Sequence, residues 1–194
     1  MCGIVGYVGP RDAAPIIHQG LKRLEYRGYD SCGIATMDGG EVKIKKGAGM
    51  IDEVEKKLHL RELPGKTGIG HTRWATHGKV SEENAHPHTD CSGEIAIVHN
   101  GIISNYLELR EGLSKRGHNF RSDTDTECIA HLIEEAYHGS LEEAVKAALG
   151  EVKGTYAVLA ISRKEPGVIL CARNESPLVL GLGEGEIFVG SDVA

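Results

Sequence analysis

Between residues 105 and 150 the sequence starts and stops three helices in succession, and strand signals gather on either side of them. Asn105 with Glu108 opens the first, with Tyr106, Leu109 and Leu113 on one face and Gly117 behind it. Thr124-x-x-Glu127 has the form of a capping box for the second, whose apolar stripe is Ile129, Leu132, Ile133, Ala136 and Tyr137 before Gly139. Ser140-x-x-Glu143 opens the third, which stops at Gly150. Helices grouped in this way cannot each link a pair of parallel strands. The pattern therefore argues against strict β-α-β alternation and predicts an α+β fold, with mostly antiparallel sheets covered by helices.

The flanking segments supply the strands. Cys2 to Val8 alternates small and β-branched residues until Gly9-Pro10 stops it. Asp12 can cap a helix with Ile16, Ile17, Leu21 and Leu24 at helical spacing, weakened at Gly20 and ended by Gly28. Cys32 to Met37 and Val42 to Lys46 flank Asp38-Gly39-Gly40 as a hairpin. Asp52 and Glu55 open a short helix closed by Pro64-Gly65, and Thr67 to Thr76 is the next strand. Residues 79–93 have no apolar period, which predicts a lid, binding loop or disordered stretch. Ile95-Ala96-Ile97-Val98 is a buried strand. After the helices come strands at Thr155 to Ser162, Val168 to Ala172, Leu178 to Leu180 and Ile187 to Val189. Nothing caps or tails the last of these, so the chain reads as a fragment of a longer protein.

Charge and cysteine usage narrow the setting. The net charge is −6, from 22 basic and 28 acidic residues, and no Lys/Arg cluster offers a footprint for nucleic acid. No apolar run has membrane-spanning length and no signal peptide opens the chain, so a cytoplasmic protein with no membrane partner is expected. Cys2, Cys32, Cys91, Cys128 and Cys171 are odd in number and lack a Cys-x-x-Cys pair, which suits reduced thiols.

Cys2 is the residue with two chemical readings. It is a small apolar residue opening a strand, or, once Met1 is removed, a thiol beside its own α-amine. An α-amine titrates near ~8, so at neutral pH part of it is an unprotonated base next to a nucleophile. Asn100-Gly101 is open between a type I′ hairpin turn and an oxyanion hole, with Ile102-Ile103 leaving little room for a partner strand. Arg73 is either a solvated edge charge or a bidentate grip on a carboxylate. Trp74, the single tryptophan, is either packing or a gate. Asp125, in the first turn of the second capped helix, is favoured there by the helix dipole and is also suited to an ammonium group.

Three further patterns carry less. Asp123-x-Asp125-x-Glu127 lacks the glycine and distal glutamate of a calcium loop. His71, His77, His86, His88 and Cys91 could supply zinc ligands, but their spacing matches no standard structural site. Gly181-x-Gly183-x-Gly185 is a turn between strands, with no helix after it to cradle phosphate.

Five segments, taken in order, carry a family resemblance: Cys2-Gly3-Ile4-Val5-Gly6, Arg27-Gly28-Tyr29-Asp30-Ser31, His71-Thr72-Arg73-Trp74-Ala75-Thr76-His77-Gly78, His99-Asn100-Gly101 and Asp123-Thr124-Asp125-Thr126-Glu127. They resemble the class II glutamine amidotransferase domain of the N-terminal nucleophile hydrolases, over residues 1–194. The resemblance implies a four-layer αββα sandwich of two mostly antiparallel sheets flanked by helices. It implies that Cys2 attacks the side-chain amide of L-glutamine and that Asn100 and Gly101 hold the oxyanion. Arg73, with Thr76 and His77, would take the substrate carboxylate, and Asp125 with the Gly101 carbonyl its ammonium. Arg27 would support the site, and Trp74 would stand at the mouth of an ammonia route. No metal or organic cofactor is implied. Within the family, Glu25 to Ser31 and Arg73 to His77 resemble the branch that feeds ammonia to fructose 6-phosphate to make glucosamine 6-phosphate. Members of that branch carry a C-terminal sugar-isomerase domain, which this chain lacks, and the full-length enzyme is expected to be a homo-oligomer. The alternatives are the same glutaminase serving another acceptor, such as phosphoribosyl pyrophosphate, or a glutamine-sensing module that keeps Met1.

Overall fold

The computed structural model describes residues 2–75 and 78–193. Its first half runs β1 (Gly3–Val8), α1 (Ala13–Arg23), β2 (Ser31–Asp38), β3 (Glu41–Ala48), α2 (Ile51–Leu58) and β4 (Thr67–Arg73). Then follow β5 (His88–Thr89), β6 (Ile95–Ile103) and the helices α3 (Tyr106–Lys115), α4 (Thr126–Ala136) and α5 (Leu141–Glu151). The chain closes with β7 (Gly154–Ser162), β8 (Leu170–Asn174), β9 (Val179–Gly183) and β10 (Glu186–Gly190). One sheet has the order β3-β2-β4-β1-β10-β9, the other β5-β6-β7-β8, and the strand pairings are antiparallel.

Alternation along the strands sorts the apolar side chains into three cores, which makes four layers. Val5 and Tyr7 of β1 face Ala14, Ile17 and Leu21 of α1. The intervening Ile4 meets Ile69, Ala96, Val98 and Leu159 between the two sheets. On the far side, Ile95 and Ile97 of β6 pack under Leu113, Ile129, Ile133, Leu141 and Val145. The central strands β1, β2 and β4 thus have two buried faces, the burial expected of the inner layers of an αββα sandwich, while the edge strand β9 is exposed. Gly6 lets the sheets close: a Cβ there would lie 2.9 Å from the Leu159 Cδ1 of the other sheet. The expected four-layer fold is the one observed. Among the described residues no helix is long and apolar enough to cross a membrane.

Four local expectations change. The strand predicted over Thr67 to Thr76 stops at Arg73, because the backbone beyond it bonds to side chains instead of a ladder. Trp74 N–H points at Cys2 Sγ (3.2 Å) and Ala75 N–H at Asp30 Oδ2 (2.8 Å). The segment 79–93 is not structureless: Asn84 to His88 is buried and β5 pairs with β6. Its anchor is polar, with Lys46 Nζ donating to the carbonyls of Ala85 (2.6 Å) and Pro87 (3.1 Å), so hydrophobic periodicity had nothing to register. The strand predicted as Ile95 to Val98 runs on to Ile103, paired throughout with β7, so Asn100-Gly101 is not a hairpin turn. Finally, Thr124 does not cap α4, which begins at Thr126 with Asp125 in the cap position. The Thr124 hydroxyl is engaged by Ser122 Oγ (2.9 Å) and His88 Nε2 (3.1 Å), while Glu127 accepts from the N–H groups of Arg121 (2.8 Å) and Ser122 (2.7 Å). The Ser140 cap forms as expected, accepting from Glu143 N–H.

Candidate active site

The alternation that builds the core also delivers the site residues. On β4, Ile69, His71 and Arg73 share the face turned toward the second sheet. On β6 the corresponding face carries Ala96, Val98 and Asn100, and ahead of β1 Cys2 keeps the parity of Ile4. At one end of the inter-sheet layer the apolar residues give way to these polar ones. Cys2, Arg73, Trp74, Asn100, Gly101 and Asp125 line one pocket there.

Cys2 Sγ lies 3.2 Å from the Trp74 N–H, which donates to it. Burial pushes the Cys2 thiol up; the Trp74 hydrogen bond and the Arg73 charge pull the other way. Asn100 Nδ2 donates to the Cys2 carbonyl at 2.9 Å, which ties β6 to the Cys2 backbone. Its Oδ1 is 2.9 Å from His71 Nε2, and that nitrogen also faces the His99 carbonyl at 3.1 Å. Both partners are acceptors, so Nε2 carries the proton and the Asn100 amide is held with its NH₂ toward Cys2. Gly101 has φ 136°, and a Cβ would lie 2.0 Å from the Thr155 carbonyl oxygen, so no side chain fits.

Two charged groups also line the pocket. Arg73 is 4% exposed and donates to the Lys79 carbonyl. Burial lowers its guanidinium from the ordinary value, opposed by the nearby charges that include Asp30 and Asp125. Asp125 is buried, and its Oδ2 accepts from Ile103 N–H at 2.9 Å, which joins the start of α4 to the end of β6. A buried cation and a buried anion in one pocket with a thiol suit a zwitterion whose two charges lie at one end.

Arg27 lies beside the pocket. Its Nη1 bonds Asp192 Oδ2 at 2.6 Å, and Tyr26 donates to the same oxygen at 2.7 Å. The adjoining Ser191 exchanges bonds with Ile4, through Oγ to Ile4 N–H and through its own N–H to Ile4 O, each at 3.0 Å. The C-terminal Ser191-Asp192 pair therefore braces the strand that follows Cys2, a role not anticipated from the sequence. Trp74 is 46% exposed and meets the Tyr29 ring edge-on at 5.3 Å. Thr76 and His77 lie outside the described residues.

A histidine network that sequence reasoning missed adjoins the pocket, with His86 and His99 among its lining residues. The His71 and His86 rings stack at 4.1 Å, and His86 meets His88 edge-on at 4.5 Å. His86 Nε2 and His99 Nδ1 share the Thr126 hydroxyl at 3.0 and 2.8 Å. Burial lowers the pKa of all four imidazoles, His71 to about 3. They are neutral in the folded protein. An unfolded imidazole takes up a proton below ~6.5, so below that pH the unfolded chain binds more protons and stability falls with acidification. The urea midpoint is expected to drop already between about pH 6.5 and 5, above the range in which carboxylates titrate. A midpoint flat down to pH 5 would contradict four neutral buried rings.

A sequence model of the glutamine amidotransferase domain matches residues 71–194. A glutamine–fructose-6-phosphate aminotransferase (isomerizing) of Pyrococcus horikoshii is 58% identical over 195 residues, covering 100% of this chain and 33% of that protein. Its counterpart in Aquifex aeolicus is 55% identical over 193 residues, again 100% of this chain and 33% of the relative. The chain thus spans about a third of the length of these curated relatives. Among solved structures, a glutamine phosphoribosylpyrophosphate amidotransferase from B. subtilis superimposes with TM-score 0.85 at 33% identity, covering 98% of this chain and 42% of that one. A glutamine aminotransferase class-II domain protein from Silicibacter pomeroyi, at 14% identity and TM-score 0.62, covers 97% of this chain and 88% of its own and shares the fold.

Proposed function

The chain belongs to the glutamine amidotransferase domain family, and from that premise we propose that it hydrolyses L-glutamine to glutamate and ammonia through a thioester on Cys2. One observation carries this reading: the thiol, an oriented amide donor and a buried pair of opposite charges line the same small pocket. Once Met1 is removed, the Cys2 α-amine takes the thiol proton as sulfur attacks the glutamine Cδ. The amide oxygen becomes an oxyanion held by Asn100 Nδ2 and the Gly101 N–H. The protonated amine returns its proton to the leaving nitrogen, the C–N bond breaks and ammonia departs. Water then attacks the thioester, releasing glutamate and the free thiol. Arg73, with Thr76 and His77, holds the substrate's α-carboxylate, and Asp125 with the Gly101 carbonyl its α-ammonium. Arg27 steadies the neighbourhood of Cys2 through Asp192, and the half-exposed Trp74 stands where ammonia leaves.

In the longer protein the ammonia goes to fructose 6-phosphate, through a C-terminal isomerase domain, to give glucosamine 6-phosphate. The higher identity to the aminotransferases (58%) than to the phosphoribosylpyrophosphate amidotransferase (33%) favours this acceptor. The assembled enzyme is a cytoplasmic homo-oligomer in this reading, and the five unpaired cysteines suit a reducing compartment.

The test is to incubate the protein with glutamine and measure glutamate and ammonia, which should appear one for one. Arg73→Ala should raise KM by ~30-fold or more, the cost of leaving a substrate carboxylate without its buried partner, and change kcat less. A kcat defect with an unchanged KM would remove Arg73 from carboxylate binding.

A further inference from the structure

Away from the pocket, four ligand-type side chains converge. Cys91 lies in the turn between β5 and β6, His118 just after α3, and His131 and Glu134 lie one turn apart on α4. Cys91 Sγ is 3.4 Å from His118 Nδ1 and 3.6 Å from His131 Nδ1. Glu134 Oε2 is 3.1 Å from His118 Nδ1 and 3.2 Å from His131 Nδ1. All four atoms lie within 4.8 Å of one another. A tetrahedral zinc ion, with bonds of about 2.3 Å to sulfur and about 2.0–2.1 Å to nitrogen or oxygen, spaces its ligand atoms about 3.3–3.6 Å apart. The four sulfur–nitrogen and nitrogen–oxygen contacts, 3.1–3.6 Å, fall close to that range, and the two remaining separations are within 4.8 Å.

Hydrogen bonding alone serves this arrangement poorly. Each Nδ1 has one proton or one lone pair, yet each faces both a sulfur and a carboxylate oxygen. One cation at the centre answers all four atoms. The outer nitrogens supply an independent sign. His118 Nε2 meets Glu135 Oε1 at 3.1 Å, and His131 Nε2 faces Glu127 Oε1 at 3.6 Å. A carboxylate that accepts from the outer nitrogen is the usual support of a zinc-bound histidine, orienting the ring and raising its basicity; Glu135 fills that place for His118, while Glu127 lies just beyond hydrogen-bond reach of His131. Cys91 N–H donates to Glu134 Oε2 at 3.1 Å and holds that carboxylate in place. The His131 side chain is 1% exposed and packs edge-on against Phe120 at 4.7 Å, so the site has an apolar wall. One thiolate and one carboxylate offset the two charges of the ion.

We propose that Cys91, His118, His131 and Glu134 form a structural zinc site. Four protein ligands leave no open position, so the ion clamps rather than catalyses. It pins the β5–β6 turn and the end of α3 to α4, the helix whose first turn carries Thr126 of the pocket lining and follows Asp125. This set differs from the residues whose types alone could supply zinc ligands in the sequence: His71, His86 and His88 belong to the buried network, His77 lies outside the described residues, and only Cys91 is common to both.

The experiment uses protein purified without a polyhistidine tag. Elemental analysis should find about one zinc per chain, and chelation should lower the melting temperature until zinc is restored. Cobalt replacing zinc should give the visible bands of a tetrahedral ion and a near-ultraviolet thiolate-to-metal band. Cys91→Ser should abolish that band, whereas Cys2→Ser should leave it. Glu135→Gln, which removes the charge behind His118 together with the Arg116 ion pair, should weaken zinc by roughly 10-fold or more, and Arg116→Gln, which removes only the ion pair, should not. Failure to take up one equivalent of zinc or cobalt from a metal-buffered solution overturns the proposal. So does a thiolate band that survives Cys91→Ser and vanishes in Cys2→Ser. The cobalt spectrum of the unsubstituted protein decides the matter even if the Cys91 variant does not fold.

Discussion

Cys2→Ala is expected to lower glutamine hydrolysis by roughly 10⁴-fold or more while glutamine still binds, since removing the nucleophile leaves only binding and oxyanion contacts. The structure makes the expectation sharper than the presence of a cysteine would. The Cys2 thiol is pushed up by burial, so it rests as a thiol and not as a standing thiolate. Its activation depends on a base acting during attack, and in the proposed mechanism that base is the residue's own amine. Protein that retains Met1 should therefore fail almost as completely as Cys2→Ala, although its sulfur is intact. In processed protein kcat/KM should rise with pH through a single ionisation near ~8, the range of an α-amine. An electrophilic glutamine analogue should label Cys2 alone. Cys32 and Cys128 are buried, with pKa values pushed up to about 12, and Cys171 is raised to about 11. Cys91 is also raised, by burial first, and lies outside the pocket. Intact-mass measurement of the N-terminus beside each rate keeps the two causes of inactivity apart. Full turnover by protein still carrying Met1 would remove the amine from the mechanism.

The features legible in the sequence were those with a strong local signal or a contiguous motif. The Asp38-Gly39-Gly40 hairpin forms with a two-residue turn, both glycines at positive φ, because only that turn brings Asp38 opposite Glu41. Ser140 announces α5 because its hydroxyl needs only the helix's own N–H groups. Thr124 misled for the opposite reason. A hydroxyl has few bonds to give, and distant His88 competes for it with the local helix. Segment 79–93 was illegible because Lys46, more than thirty residues upstream, satisfies its carbonyls. The same distinction holds in the site. Cys2, Arg73, Asn100 and Asp125 could be named from short motifs, and they do line one pocket. His71 could have been found by parity, two residues before Arg73 on a strand whose alternate face is polar at its end. Asp192 and the Cys91 cluster had no such signal, since their partners come from segments far apart in the chain.

Asn100→Ala is expected to lower kcat by ~10²–10³-fold and to change KM much less, the signature of a donor used mainly in the transition state. The Asn100 amide cannot drift to a substitute position. His71 Nε2–H holds its oxygen at 2.9 Å, the Cys2 carbonyl takes its nitrogen at 2.9 Å, and β6 pairs with β7 on both sides of it. An amide fixed before substrate arrives spends nothing on reorganisation when charge develops, which is the ground for the expected effect. Asn100→Asp should be at least as damaging, because it removes the donor and sets a negative charge beside the forming oxyanion. His71 separates orientation from mere presence. With its pKa lowered to about 3, the ring remains a neutral donor throughout the working range, so its contribution should not titrate. His71→Phe keeps Asn100 in the chain but removes the bond that orients it, and should reproduce part of the kcat loss with little change in KM. Steady-state kinetics of the three variants, with the melting temperature of each measured alongside, decide the assignment. If Asn100→Ala raised KM and left kcat alone, Asn100 would be binding the ground state, and the oxyanion would have to be held elsewhere.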